Sequence, residues 1–246
     1  IETKKHASLE LRGFHSHIGS QIFETEPFAI AAERLIELLA KYNEEFGQQL
    51  PELDLGGGYG IAYLDSESEI HAADVLGALA TQVKQVCAKY SLDVPKISIE
   101  PGRAIVGPSM FTLYSVGTTK VVTLENGASR NYVSVDGGMS DNLRTALYGA
   151  EYTAVIANRE STAKKIATRI VGKHCETGDI IIKDIDFPSD VTPGDLLATP
   201  ATGAYGRSMA TNYNHISRPP VVAIKDGKAR VILRRESIED LLRLDI

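Results

Sequence analysis

Up to about residue 110 the apolar positions alternate between short runs and helical stripes. Leu9 to His17 reads as a strand ending in His-Ser-His. Residues 27–46 place Phe28, Ala32, Leu35, Leu39, Tyr42 and Phe46 on one stripe, with Pro27 in the first turn, which predicts an amphipathic helix. Leu53 to Leu55 reads as a short strand stopped by three glycines. Residues 71–90 predict a second helix, with Ala72, Val75, Leu76, Leu79, Val83, Val86 and Tyr90 on its apolar side. Ile97 to Glu100 is a third strand, closed by Pro101-Gly102. A strand-helix-strand-helix-strand order means a parallel sheet. A closed barrel takes roughly 250 residues. This half therefore reads either as a piece of a barrel or as a small open sheet.

From Phe111 the pattern changes to short β-rich runs at 111–123, 131–135, 153–156, 168–171, 179–182 and 196–199. Val221 to Ile224 and Ala229 to Leu233 flank Asp226-Gly227, a hairpin signal. Ser237 and Asp240 form a capping-box-like pair opening a terminal helix through Leu244. The expected architecture is α/β plus β: an α/β part over 1–110, either a piece of a barrel or a small open sheet, then a mostly antiparallel β domain with a terminal helix over 111–246.

Composition narrows the function classes. At 246 residues the chain can bury a large core. The formal net charge of −6, with no basic run, argues against nucleic acid and anionic membrane partners. No apolar run reaches membrane-spanning length, and the start shows no signal-peptide pattern. Two cysteines cannot build a disulfide framework, so a cytoplasmic location is expected.

The candidate chemistry clusters at the ends of the three parallel strands, the edge where α/β proteins place ligand sites. Gly56-Gly57-Gly58 lets backbone N–H groups approach a phosphate, or simply makes a tight turn. His15 and His17 share a strand face and could grip a metal. Alternatively an imidazole stacks on an aromatic cofactor, with Ser20 meeting its phosphate; a buried structural histidine is the plain reading. No further histidine falls at a strand end, and no metal site is expected. Glu100 and Arg103 put an acid and a base at one strand end. The acid suits a protonated pyridine nitrogen and the base an anion, or the two form a local ion pair.

Farther along, Cys175-Glu176-Thr177-Gly178-Asp179 sets a cysteine among polar neighbours, which suggests a loop; Cys87 lies on a helix and reads as structural. After Asp136-Gly137-Gly138 comes a helical turn with Arg144 and Tyr148 at i and i+4. A guanidinium beside a phenol can read a carboxylate, or be a surface pair. Tyr205 lies in a Gly- and Tyr-rich loop that also contains Asn212-Tyr213-Asn214.

Taken together, His15-Ser16-His17-Ile18-Gly19-Ser20, Asp54-Leu55-Gly56-Gly57-Gly58, Glu100-Pro101-Gly102-Arg103 and Cys175-Glu176-Thr177-Gly178-Asp179 resemble the diaminopimelate decarboxylases, pyridoxal-phosphate enzymes of the alanine-racemase-like fold. The resemblance runs from Gly13 to Arg234-Arg235-Glu236. It implies the C-terminal portion of a (β/α)8 barrel, followed by the β domain. It implies that His17 stacks on the cofactor ring, Ser20 and Gly58 contact its phosphate, Glu100 pairs with the pyridine nitrogen, and Gly102 and Arg103 border the same site. Arg103, Arg144, Tyr148 and Glu176 would hold the substrate. Tyr205 would touch both substrate and cofactor. Cys175 would donate a proton to the partner's site in a homodimer. The implied reaction converts meso-2,6-diaminopimelate to L-lysine and CO2, the last step of lysine biosynthesis. The family's Schiff-base lysine lies upstream of all four motifs and has no counterpart here, so this polypeptide alone is expected to be inactive. The alternatives are an ornithine- or arginine-type decarboxylase, or a non-catalytic half-length partner of such an enzyme.

Overall fold

A computed structural model describes residues 2–68, 70 and 72–246. Ile1, Glu69 and His71 lie outside the described residues, as does the side chain of Ala72. The expected helix start at His71 and the place of Ala72 on its stripe therefore lie outside them. The chain forms two compact units, one of Ile1–Ala62 with Ser66–Val106, the other of Tyr63–Asp65 with Gly107–Ile246.

The first unit holds β1 (Gly13–His15), α1 (Glu26–Phe46), β2 (Glu52–Asp54), α2 (Ala72–Lys89), β3 (Lys96–Ser98) and α3 (Gly102–Val106). The three strands form one parallel sheet in the order β1-β2-β3, with Phe14 opposite Leu53 and Leu53 opposite Ile97. Pro27 sits in the first turn of α1, and Gly47 ends the helix at φ 63°, its N–H bonding the Asn43 carbonyl. Phe28, Ala32, Leu39 and Tyr42 are buried as the stripe predicts. Ile36, absent from that stripe, is fully buried, because the apolar face is wider than a single line of side chains. On α2, Val75, Leu79, Val83 and Val86 join the same core; Leu76 faces outward. Cys87 is buried within that core, and burial pushes its thiol pKa up. The first strand is shorter than Leu9 to His17: among the described residues its ladder with β2 spans Gly13–His15.

The second unit continues with β4 (Thr112–Thr123), β5 (Ser129–Val135), α4 (Arg144–Tyr148), β6 (Val155–Ile156), β7 (Lys165–Val171), β8 (Ile180–Pro188), β9 (Leu196–Thr199), α5 (Gly206–Met209), β10 (Val221–Lys225), β11 (Lys228–Leu233) and α6 (Ile238–Leu241). Six strands form one sheet in the order β6-β9-β4-β5-β7-β8. Only β5 and β7 run parallel; the other pairings are antiparallel. β10 and β11 form a separate hairpin through Asp226 and Gly227, at φ 52° and 70°, the left-handed pair of a type I′ turn. Ser237 and Asp240 form a complete capping box, and α6 ends at Leu241 rather than Leu244.

Candidate active site

In the first unit the chemistry gathers where the parallel strands end. Glycine makes that possible. A Cβ on Gly56 would lie 2.0 Å from the Ser16 carbonyl oxygen, and one on Gly57 would lie 2.2 Å from that of Glu100. A Cβ on Gly58, at φ +104°, would lie 2.3 Å from the Gly19 carbonyl oxygen. The loops after β1, β2 and β3 thus close directly backbone to backbone. Ser16 N–H bonds the Asp54 carbonyl at 3.1 Å, Glu100 N–H the Gly56 carbonyl at 2.8 Å, and Ile22 N–H the Gly58 carbonyl at 3.0 Å.

Two pairs among the singled-out residues meet on this frame, neither of them expected as a pair. Arg103, on α3, donates to Ser20 Oγ at 2.8 Å. His15 Nε2 and Glu100 Oε2 lie 3.1 Å apart. Asp54 joins them: ligand atoms of His15, Asp54 and Glu100 all fall within 4.8 Å of one another, while Asp54 also accepts the Gly56 N–H at 2.8 Å. His15 therefore faces Glu100 and Asp54 rather than sharing a ligand pair with His17, which is exposed. Ser16 Oγ and Tyr59 OH are buried with no hydrogen-bond partner among the described residues.

In the second unit a web of buried polar groups holds the Cys175 loop. Asp179 is buried, and its carboxylate accepts the Met139 N–H and the His174 N–H, each at 2.6 Å. Gly138 and Gly172 leave room for it: a Cβ on either would fall 2.7 Å or 2.3 Å from an Asp179 oxygen. His174 Nε2 meets Ser140 Oγ at 2.8 Å. Asp141 accepts the Tyr114 hydroxyl at 2.5 Å and the Gly138 N–H at 2.7 Å. Burial raises the pKa of both Asp141 and Tyr114. Cys175 and Glu176 stand exposed at the tip. Glu176 accepts the Tyr213 hydroxyl at 2.5 Å, and that bond raises the phenol pKa.

Arg144 and Tyr148 do not meet as their spacing suggests. Arg144 is only 7% exposed, whereas Tyr148 is 66% exposed. The phenol at Arg144 belongs to Tyr152, which accepts from Nη1 at 2.6 Å. The guanidinium also lies 5.0 Å from the Tyr63 ring, 5.7 Å from that of Tyr152 and 5.9 Å from that of Tyr205. Tyr205 itself holds a left-handed φ of 68°, uncommon for a residue with a side chain.

Comparison with known proteins gives this arrangement a context. The family profile described as "Pyridoxal-dependent decarboxylase, C-terminal sheet domain" matches residues 77–203, more than half of the chain. "Pyridoxal-dependent decarboxylase, pyridoxal binding domain" matches residues 1–107. The chain belongs to the pyridoxal-dependent decarboxylase family. Among its relatives, the diaminopimelate decarboxylase of Corynebacterium efficiens is 48% identical over 97% of this chain and 52% of that protein. That of Mycobacterium bovis is 51% identical over 97% of this chain and 54% of its own length. The crystal structure of the Helicobacter pylori diaminopimelate decarboxylase complexed with L-lysine superimposes with a TM-score of 0.83 at 34% identity, over 99% of this chain and 57% of that one. The chain spans about half the length of the curated relatives it matches.

The first unit carries groups that suit the phosphate and the ring nitrogen of pyridoxal phosphate. Ser20 and Arg103 offer a hydroxyl and a guanidinium for a phosphate. On the same sheet edge, Glu100 offers a carboxylate for a protonated ring nitrogen. The residues fit the group. Four second-unit residues that hold the Cys175 loop or Arg144 had no role assigned from the motifs: Asp179, Tyr213, Tyr152 and Tyr63. Asp179 closes a motif already singled out, and glycines at 138 and 172 were the available hint of a close approach. Tyr152 is eight residues from Arg144, beyond the i+3 and i+4 spacings at which helical side chains touch, and nothing local marks it.

Proposed function

We propose that the whole protein decarboxylates meso-2,6-diaminopimelate to L-lysine and CO2 with pyridoxal phosphate, as a cytoplasmic homodimer with shared active sites. The observation that carries this reading is the sheet edge that holds the Arg103–Ser20 pair and the Glu100 carboxylate together. A phosphate and a ring nitrogen demand those two chemistries at once. The identity of about half over nearly the whole chain to diaminopimelate decarboxylases supports the choice of substrate. The likeness to a lysine/ornithine decarboxylase of Vibrio vulnificus, at 23% identity, extends to the fold alone.

Each residue then has a task. Ser20, the Gly58 loop and Arg103 bind the cofactor phosphate, and Gly102 borders the same site. His17 covers a face of the ring. Glu100 keeps the ring nitrogen protonated. When bound, pyridoxal phosphate spreads the electron pair left on the substrate α-carbon as CO2 departs. Arg144, with Arg103, Tyr148 and Glu176, holds the substrate's charged ends, and Tyr205 contacts substrate and cofactor. Cys175 Sγ of one protomer gives its proton to the α-carbon in its partner's site, leaving a thiolate that solvent reprotonates.

A cofactor titration of the full-length protein tests the assignment of Glu100. Wild type is expected to develop the visible absorbance of bound pyridoxal phosphate. Glu100→Gln is expected to bind the cofactor but lose at least ~100-fold in kcat, because a neutral ring nitrogen is a poor electron sink. Equal kcat in both would sink the assignment.

A further inference from the structure

We infer that Tyr152 is a positioning residue, which fixes the Arg144 guanidinium and leaves its charge for a carboxylate of the substrate. The inference rests on the proposed function. Arg144 is nearly buried, yet its surroundings are neutral: the Tyr152 hydroxyl at 2.6 Å and the faces of Tyr63, Tyr152 and Tyr205. Among the described residues no Asp or Glu forms an ion pair with it. A buried cation is ordinarily compensated by an acid. Here one of five N–H donors is used by a phenol, and the rest of the fork remains for an anion.

The Tyr152 phenol is itself held rigidly. It is 3% exposed, and its ring meets Tyr63 edge to face at 5.2 Å. The chain delivers it through Gly149, whose φ of 63° ends α4 and turns the backbone back toward Arg144. A neutral acceptor orients the guanidinium without cancelling its charge. An aspartate in the same place would hold it as well and neutralise it. Tyr148, one helical turn from Arg144, is not in this cage.

The test uses the full-length protein loaded with pyridoxal phosphate, and pimelate as an unreactive dicarboxylate probe. Tyr152→Phe removes one oxygen and keeps the ring. It is expected to weaken pimelate binding and raise KM for meso-diaminopimelate, each by roughly tenfold. The kcat should change less than about threefold, with the cofactor absorbance and Tm held. In an Arg144→Ala background, Tyr152→Phe should add no further loss of pimelate binding, because the path from the phenol to the carboxylate runs through the guanidinium. Tyr63→Leu, which removes a ring face, should weaken pimelate in the same direction. Unchanged pimelate affinity and KM in Tyr152→Phe would overturn the inference, as would an equal loss in the Arg144→Ala background. A wild-type protein that binds pimelate but releases no CO2 from diaminopimelate would defeat the proposed function. Calorimetry with pimelate on wild type and Tyr152→Phe would still decide the inference, and a wild type that binds no pimelate would overturn it.

Discussion

Arg103 reaches across 83 residues of sequence to donate a 2.8 Å hydrogen bond to Ser20, tying α3 to the loop that follows β1. The bond joins a guanidinium and a hydroxyl that both suit a phosphate. Ser20→Ala in the full-length protein is expected to raise the Kd for pyridoxal phosphate about tenfold, the scale of one lost bond to a charged group. Arg103→Ala should cost more, since it also removes the cation. Fluorescence titration with the cofactor reads both. Unchanged affinity in both variants would remove the phosphate role.

The glycines at the strand ends separate close packing from mere flexibility. Gly57 faces the Glu100 carbonyl so closely that a Cβ would sit 2.2 Å away, against backbone that cannot swing aside. Gly57→Ala should therefore push β3 from β2, destabilise the unit by about 1–3 kcal/mol, and weaken cofactor binding through Glu100. Gly77 provides the control. It lies exposed within α2, and a Cβ there would meet nothing within 4 Å. Gly77→Ala should stabilise by about 0.5–1 kcal/mol. Urea melts that rank the two variants the other way would contradict the packing account.

Asp195 illustrates a stability that depends on pH. It is buried, and Arg159 grips it through Nε and Nη2, both at 2.8 Å, with the Thr192 N–H at 2.9 Å. The Arg159 bond is the main cause that holds its pKa well below the usual carboxylate range. A folded-state pKa below the unfolded value means stability that is present above about pH 4 and lost as the pH falls below it. Asp195→Asn should lower Tm by roughly 5 °C at pH 7 and by less at pH 3. Calorimetry at the two pH values checks this; an equal deficit at both would discard the ion-pair explanation.

Legibility in the sequence followed the range of the forces involved. Leu196–Thr199 and the Asp226-Gly227 hairpin were readable because local alternation and turn chemistry decide them. The strand read at 179–182 actually runs on through Pro188 as β8. Lys183, Asp184 and Asp186 interrupt its apolar pattern, and pairing with β7 carries it past them. At the candidate site, residues just after parallel strands stood out because motif and strand end coincide. Tyr152 did not, because its place beside Arg144 depends on a left-handed turn at Gly149 and on tertiary packing around Tyr63. The outward Leu76 and inward Ile36 show the same limit: the helical stripe was right in period and approximate at its margins.

The most direct measurement is lysine and CO2 release from meso-diaminopimelate by the full-length protein with pyridoxal phosphate, beside ornithine and arginine at equal concentration. The account predicts turnover of diaminopimelate at least ~100-fold above either competitor in kcat/KM, because only diaminopimelate presents a second carboxylate to Arg144. No release from diaminopimelate, or equal use of ornithine, would contradict it.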